Sequence, residues 1–173
     1  MSWGRLVQPD LVLGGSILSL TPDIVSKYNL QGLVLDVDET LVPIYATEAS
    51  PLLQAWVEEI RQATVLWLVS NNLSQNRIGR IAQSLNLPYI SGARKPSRRK
   101  LKQAVDKMNL PVEQVGMVGD RLFTDVLAGN RLGMFTILVE PMLDPGEEVR
   151  ISPVRSLEVW LSQALGASLT PNK

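Results

Sequence analysis

The sequence predicts an α/β fold: a doubly wound, mainly parallel sheet with helices on both faces. Short apolar runs rich in β-branched residues, the pattern of buried parallel strands, alternate with longer segments whose apolar residues recur every three or four positions. This alternation is typical of parallel strands that are joined by crossover helices. The length of 173 residues favours a single domain over residues 1–173.

Residues 1–32 form a lead-in to the first core strand. The apolar run at residues 11–20 is too short to span a bilayer. It is either a core strand or helix or, together with Trp3, a segment that dips into a membrane interface. Thr21-Pro22 is typical of a helix N-cap followed by proline at the first helical position. A short helix to about Tyr28 is therefore expected.

The regular alternation begins with an apolar run at residues 33–37, which predicts the first core strand. Ser50-Pro51 provides the N-cap and first residue of the next helix. The apolar residues of that helix have helical spacing: Leu52, Leu53, Trp56, Val57 and Ile60. Residues 64–69 are almost wholly apolar and predict a second buried strand.

The remaining core elements follow in the same order. A polar helix at residues 74–85 carries an apolar side made of Ile78, Ile81, Ala82 and Leu85. A short strand at 88–90 and a basic helix at 97–108 come next. After a connector at Pro111, the pattern predicts a strand at 115–118, a helix at 122–131 capped by Gly133, and a last core strand at 134–139.

The C-terminal part, residues 141–173, is predicted to contain a loop, a helix and a tail. Residues 141–153 are rich in Pro, Gly and Glu and predict a loop. Residues 155–165 place Leu157, Trp160, Leu161, Ala164 and Leu165 on one helical face. The favoured interpretation is a helix docked on the sheet through this face, and the alternative is membrane contact. The last eight or so residues are expected to be disordered.

The composition excludes several kinds of chemistry. The chain contains no cysteine and no histidine, which rules out cysteine or histidine nucleophiles, Ser-His-Asp hydrolases, zinc sites built on these residues, and disulfides. The formal net charge is zero, so no nucleic-acid partner is expected. The N-terminus lacks the pattern of a signal peptide, which predicts a cytoplasmic location. Carboxylate, hydroxyl and lysine chemistry remain, with magnesium as the expected metal.

Four of the predicted strands have a cluster of polar residues at or just after their carboxyl ends. These clusters are residues 36–40, Ser70-Asn71, Lys95 and Gly119-Asp120. Because the carboxyl ends of parallel strands meet at one edge of a sheet, the four clusters are expected to form one site. Asp36 and Asp38 are two residues apart and can start on the same side of their strand. Two neighbouring carboxylates indicate either a hard divalent cation between them or one carboxyl held protonated as an acid.

The ordered set of clusters resembles the four motifs of the haloacid-dehalogenase-like (HAD) superfamily of aspartate-nucleophile phosphatases. The matching segments are Asp36-Val37-Asp38-Glu39-Thr40, Val69-Ser70-Asn71-Asn72, Lys95-Pro96 and residues 119–125. With the lead-in, these segments resemble the YqeG family, a capless group of subfamily IIIA type. Its mitochondrial and plastid relatives dephosphorylate phosphatidylglycerophosphate to phosphatidylglycerol. The resemblance implies a HAD-like Rossmannoid fold without a sizeable cap domain.

The resemblance assigns a role to each motif residue. Asp36 is the expected nucleophile, forming an aspartyl-phosphate, and Asp38 is the expected general acid and base. The implied Mg²⁺ ligands are Asp36, the backbone carbonyl of Asp38, and Asp120. Asp125 is expected to hold a metal-bound water or to orient Asp120.

Four further residues are expected to bind the phosphoryl group. Thr40 and Ser70 can donate hydroxyl protons, Asn71 can assist through its amide, and Lys95 can supply a positive charge. The chain departs from the family at Arg121, where glutamine is usual. This arginine is expected to contact either the phosphate or an acidic neighbour.

No cap fits between the motifs, and resemblance to the capless members of the superfamily implies a substrate that is too large to enclose. A basic cluster starts at the candidate active-site lysine and comprises Arg94, Lys95, Arg98, Arg99, Lys100 and Lys102. It either attracts an anionic phospholipid surface, giving peripheral contact at the inner face of a membrane, or is an ordinary solvated helix face. Three hypotheses follow: a Mg²⁺-dependent lipid phosphate phosphatase, a soluble phosphatase of a nucleotide, sugar or protein phosphate, and a non-catalytic partner-binding protein.

Overall fold

The protein is built on a six-stranded, fully parallel sheet. A computed structural model describes residues 2–142 and 153–172. The strands are β1 (Leu11–Val12), β2 (Gly32–Leu35), β3 (Val65–Val69), β4 (Tyr89–Ile90), β5 (Val115–Gly119) and β6 (Phe135–Leu138). Their order in the sheet is β1-β6-β5-β2-β3-β4. The two strands that carry the acidic motifs, β2 and β5, are neighbours at its centre, with Leu35 paired in register with Val118.

Seven α-helices accompany the sheet in the described residues. They are α1 (Trp3–Leu6), α2 (Pro22–Lys27), α3 (Pro51–Ile60), α4 (Gln75–Leu85), α5 (Arg99–Met108), α6 (Leu127–Leu132) and α7 (Pro153–Ala164). A π-helical turn, Leu122–Val126, leads into α6. The caps predicted for α2 and α3 are formed, since the side chains of Thr21 and Ser50 each accept a backbone N–H of the first turn. Ser74 caps α4 in the same way.

Helices cover both faces of the sheet, as the alternation of strands and helices predicts. Leu33 and Leu35 of β2 point to one face and pack in a buried cluster with residues of α2, α3 and α4. Val34 points to the other face and packs with residues of α5 and α6. Burying β2 on both faces explains its continuous apolar sequence. Within residues 2–142 and 153–172, the connections between the strands contain no sizeable cap.

The lead-in belongs to the core. Leu11 and Val12 form the edge strand β1, and the apolar side chains of the following loop, Leu13, Ile17 and Leu20, are fully buried. This decides between the alternatives for residues 11–20 in favour of a core segment. Trp3, in contrast, is exposed.

The prediction of a disordered tail is wrong for residues 166–172. The backbone N–H of Asn172 donates to Val12 O at 3.1 Å, and the Asn172 side chain accepts from Val12 N at 2.6 Å. Gln8 makes a similar pair of hydrogen bonds with the backbone of Ser168. β1 is an edge strand with unpaired backbone groups, and the tail satisfies them.

The predicted orientation of the C-terminal helix is also wrong. In α7 the buried side chains are Glu158 and Ser162, whereas the residues expected to dock on the sheet are exposed: Leu157, Trp160, Leu161, Ala164 and Leu165. Ion pairs described below hold the polar face inward. The predicted loop at residues 141–153 lies mostly outside the described residues, and its last residue, Pro153, begins α7. Among the residues that the structure describes, no helix is long and apolar enough to cross a membrane.

Candidate active site

A tight turn after β2 presents the first acidic motif. Glu39, between Asp38 and Thr40, has a φ of 64°, in the left-handed region that non-glycine residues rarely adopt. The turn is closed by hydrogen bonds from Glu39 N to Val42 O at 2.7 Å and from Leu41 N to Val37 O at 2.9 Å. The chain therefore reverses within a few residues and leaves both carboxylates at the carboxyl edge of the sheet.

Lys95 lies at the centre of the site and is almost fully buried. Three oxygens surround its ammonium group: Asp36 Oδ1 at 2.7 Å, Asp125 Oδ1 at 2.7 Å and Val69 O at 3.0 Å. Burial alone would lower the pKa of Lys95, but the negative charges of Asp125 and Asp36 outweigh it and raise the pKa above its ordinary value. Lys95 is therefore a permanent cation next to the candidate nucleophile.

Asp120 and Asp125 follow β5 and face Asp36. A carboxylate oxygen from each of the three lies within 4.8 Å of the others. Asp125 approaches so closely because of Gly119: a Cβ built there would lie 2.2 Å from Asp125 Oδ2. Burial, followed by repulsion from Asp36 and Asp125, raises the pKa of Asp120 to about 8. Burial and the charge of Asp36 also raise the pKa of Asp125.

The three carboxylates fit a divalent cation. Among the described side chains, Lys95 is the one cation in contact with them, so the fully ionised cluster carries two uncompensated negative charges. Clustered carboxylate oxygens are the donors that Mg²⁺ and Ca²⁺ prefer. From the sequence, Asp125 is expected to hold a metal-bound water or to orient Asp120. Its carboxylate oxygen lies within 4.8 Å of those of the other two, so it can also contact a cation directly.

Asp38 lies apart from that cluster and is held by α4 and the loop after β3. Its Oδ1 accepts from Arg77 Nη1 at 2.5 Å, and its Oδ2 accepts from Asn72 Nδ2 at 3.1 Å. Arg77 is fixed in turn by the carbonyl oxygens of Pro43 and Ala46, at 3.1 and 2.8 Å. Arg77 belongs to no motif, and the sequence therefore does not mark it as a site residue. Its position in the first turn of the helix that follows Ser70-Asn71 was the available clue.

The predicted phosphate-binding residues lie at the site, with different surroundings. Ser70 lines the cavity, and its Oγ accepts from Asn72 N at 3.0 Å. Asn71 brackets the backbone of Lys95, accepting from Lys95 N at 2.7 Å and donating to Lys95 O at 3.1 Å. The Thr40 hydroxyl is fully buried, 3.0 Å from Asp36 Oδ2 and 3.2 Å from Asp120 Oδ1. Its proton is therefore directed to the carboxylates, and phosphoryl binding by Thr40 stays a prediction.

Arg121 contacts an acidic neighbour, one of its two expected partners. Its Nε and Nη2 donate to the two carboxylate oxygens of Glu158 in α7, at 2.9 and 3.0 Å. Arg155 of the same helix pairs with Glu140 at 2.8 Å. The two-point pairing of Arg121 with Glu158 fixes orientation as well as distance. The two ion pairs therefore hold α7 beside the loop that follows β5, with its polar face inward.

These groups surround a cavity of about 280 Å³ at the carboxyl edge of the sheet. The walls contain both charged and apolar side chains, and the lining residues are Asp36, Asp38, Glu39, Ile44, Ser70, Asn71, Lys95, Asp120, Arg121, Thr124, Asp125 and Val154. The structure thus brings together the four polar clusters, from Asp36 to Asp125, as the sequence pattern predicts. Ile44 and Val154 are apolar lining residues that the motifs did not indicate.

Comparison with known proteins identifies relatives of this chain. Residues 92–142 match the family model described as "HAD-hyrolase-like". The chain is 36% identical over 127 residues to the probable phosphatase YqeG of Bacillus subtilis, covering 73% of this chain and 74% of that protein. It is 31% identical over 143 residues to the chloroplastic phosphatidylglycerophosphate phosphatase 1 of Chlamydomonas reinhardtii, covering 77% of this chain and about half, 53%, of that protein.

The solved structure of NagD from E. coli K-12 shares the fold. The TM-score is 0.52 with 15% sequence identity, over 72% of this chain and 93% of that chain. The fold, the carboxylate site and the phosphatase relatives together define a phosphatase of the HAD-like class. Within that class, the chain belongs to the YqeG phosphatase family.

Proposed function

We propose that this phosphatase is a Mg²⁺-dependent phosphomonoester hydrolase that dephosphorylates phosphatidylglycerophosphate to phosphatidylglycerol at a membrane surface. The observation that carries the chemistry is the position of Asp36, which lines the cavity, accepts a hydrogen bond from Lys95 and is grouped with Asp120 and Asp125. A carboxylate so placed faces an entering phosphate ester and has a fixed cation beside it.

In the proposed reaction, a carboxylate oxygen of Asp36 attacks phosphorus, and the bond between phosphorus and the ester oxygen breaks. Asp38 gives its proton to the departing alkoxide, which leaves as the alcohol. In the second half, Asp38 takes a proton from a water molecule as that water attacks the phosphorus of the aspartyl-phosphate. Inorganic phosphate leaves, Asp36 is again a carboxylate and Asp38 is again protonated.

The phosphoryl oxygens are bound by Lys95 and by the Ser70 hydroxyl, both of which line the cavity. Lys95 already contacts three protein oxygens, so substrate binding exchanges at least one of these contacts for a phosphoryl oxygen. Asn71 keeps the lysine backbone in place during that exchange. Asp36, Asp120 and the backbone carbonyl of Asp38 would hold Mg²⁺, with Asp125 as a further candidate. A cation held there would neutralise charge on the phosphoryl group.

The lipid substrate is supported by the printed activity of the Chlamydomonas relative and by two features of this chain. The cavity is open at an edge that no cap covers among the described residues, so a large ester can reach it. Arg94, Arg98 and Arg99 are exposed beside Lys95 and can attract an anionic surface. A cytoplasmic protein in peripheral contact with the inner face of a membrane fits these features.

The deciding experiment measures phosphate release from phosphatidylglycerophosphate in mixed micelles, in parallel with a soluble aryl phosphate. We expect turnover of the lipid to exceed that of the aryl ester by at least about tenfold, and a chelator to abolish both activities. Hydrolysis of the aryl ester alone would retain the phosphatase chemistry and reject the lipid. No hydrolysis of either ester would reject the proposed function.

Replacing Arg77 with glutamine is expected to lower kcat by about 10- to 100-fold, because Asp38 then loses the contact that positions it. KM should change little, because Arg77 does not line the cavity. Arg77→Lys should recover part of kcat. Arg80→Gln is the matched control, since Arg80 lies one turn further along α4 and pairs with the exposed Glu48. A higher KM at unchanged kcat would contradict the positioning role.

A further inference from the structure

We propose that α7 and the loops at the carboxyl edge of the sheet form a docking surface for an anionic lipid membrane. The surface, called here the apolar rim, comprises Ile44, Tyr45, Leu73, Val154, Leu157 and Trp160. This inference rests on the proposed function and specifies which side of the protein meets the lipid.

The orientation of α7 is the first observation. Leu157 is 56% exposed and Trp160 is 64% exposed, whereas Glu158 is only 7% exposed. An amphipathic helix on a folded domain ordinarily buries its apolar side, and this helix does the opposite. At 3.6 residues per turn, residues 154, 157, 160 and 161 lie within a sector of about 120°. The exposed apolar residues therefore form one continuous face.

The packing of α7 keeps that face outward. Glu158 is bonded at two points to Arg121, and Val159 packs against a cluster of Leu122, Val126 and Leu138. The chain just beyond the helix is also closely packed, since a Cβ on Gly4 would lie 2.0 Å from Leu165 O. Rotating the helix to bury its apolar face would break the ion pair and this packing. The exposure is thus built into the fold.

Position relative to the cavity is the second observation. Ile44 and Val154 are exposed and also line the cavity that contains Asp36. Tyr45 follows Ile44, and Leu73, which is 76% exposed, lies on the loop after β3, beside Gly92 on the loop after β4. Ile44 and Val154 therefore place exposed apolar side chains at the cavity itself, and Leu73 lies on another loop of the same sheet edge. α7, which contains Val154 in its first turn, extends this surface away from the cavity.

A lipid surface suits this arrangement better than another protein. A stable protein interface uses about 20 to 30 residues a side, many more than the rim provides, and any protein seated there would lie across the cavity mouth. A membrane needs no complementary partner surface, and it carries the proposed substrate. Trp160 is of the residue type enriched at membrane interfaces. The exposed Arg94 directly precedes Lys95, which lines the cavity, and complements an anionic headgroup layer.

The test uses the absence of cysteine from the chain, which allows a fluorophore to be attached at one chosen position. Leu157→Cys and Leu52→Cys proteins carry the same environment-sensitive label. Leu52 is 69% exposed but lies at the opposite edge, because its neighbour Pro51 shares a surface pocket with Ser84, Leu85 and Asn86 at the end of α4. Both proteins are mixed with vesicles of phosphatidylglycerol and phosphatidylcholine that contain no phosphate monoester.

We expect the label at position 157 to shift to the blue and to brighten at least about twofold on vesicle addition, with no change at position 52. No change at position 157, or equal changes at both positions, would overturn the proposal. A change at position 157 that appears without vesicles as protein concentration rises would identify a second copy as the occupant and also overturn it.

A second measurement needs no label. The double variant Leu157→Gln and Trp160→Gln should reduce the fraction of protein that sediments with these vesicles by at least about tenfold, because two buried apolar contacts are lost. Leu52→Gln should leave that fraction unchanged. Vesicle docking without lipid hydrolysis would reject the proposed substrate alone. Hydrolysis in micelles without vesicle docking would reject the docking surface alone.

Discussion

Asp36→Asn should abolish phosphate release, with a loss of at least about a thousandfold, the order expected when a nucleophile is removed. The asparagine amide is nearly the same size as the carboxylate, but it cannot form the aspartyl-phosphate. Lys95 keeps Asp125 as a counter-ion, so the fold should persist. Phosphate release and thermal unfolding, measured on the same preparations, separate these two effects.

Asp23→Asn is the matched control for this variant. Asp23 is exposed in the first turn of α2, and its replacement should leave phosphate release unchanged. An acid-quenched reaction of the native protein should contain phosphorylated peptide from the segment around Asp36, and the variant should not. Substantial residual turnover in Asp36→Asn would refute the covalent mechanism.

The strands and their helices could be predicted from the sequence because each carries a local signal. The continuous apolar run around Val34 reflects burial on both sheet faces, and the caps at Ser50 and Ser74 mark helix starts within one residue. The site follows from the same pattern, since β2 and β5 are adjacent and place Asp36 beside Asp120.

The orientation of α7 could not be predicted in this way. A helical apolar stripe is ordinarily the buried face, and contacts between distant segments, such as that of Arg121 with Glu158, 37 positions away, reverse the outcome. The ordered tail has a similar origin, since Asn172 is fixed by the open edge of β1, 160 residues away. The hydrogen bond that holds Asp38 is also non-local, because its donor, Arg77, lies on α4. Each of these features depends on pairing between distant segments, which local periodicity does not encode.

Lys95→Met should destabilise the protein by about 3 to 5 kcal/mol, the range expected when one partner of a buried ion pair is removed. The variant leaves Asp36 and Asp125 buried without the cation that contacts both. Chemical denaturation in the presence of a chelator measures this effect, because a divalent cation could otherwise replace the missing charge. Lys102→Met is the control. Lys102 pairs with Asp106 on the exposed surface of α5, and an exposed pair of this kind contributes about 0.5 kcal/mol or less.

The pH dependence of the Lys95→Met effect has a definite sign. Without Lys95 the pKa of Asp125, already raised by burial and by Asp36, rises further because the lysine charge had lowered it. A carboxyl group whose pKa is higher in the folded than in the unfolded state binds its proton more tightly when folded, so the folded state loses stability as pH rises between the two values. The destabilisation should therefore be larger at pH 8 than at pH 5.

A double variant separates the ion pair from the packing of the lysine chain. If charge is the cause, Lys95→Met combined with Asp125→Asn should recover part of the lost stability, because one uncompensated carboxylate is removed together with its counter-ion. Equal destabilisation of the single and double variants at both pH values would show instead that Lys95 stabilises the fold through its aliphatic chain. The ion pairs of Lys95 with Asp36 and Asp125 would then contribute nothing to the free energy of unfolding.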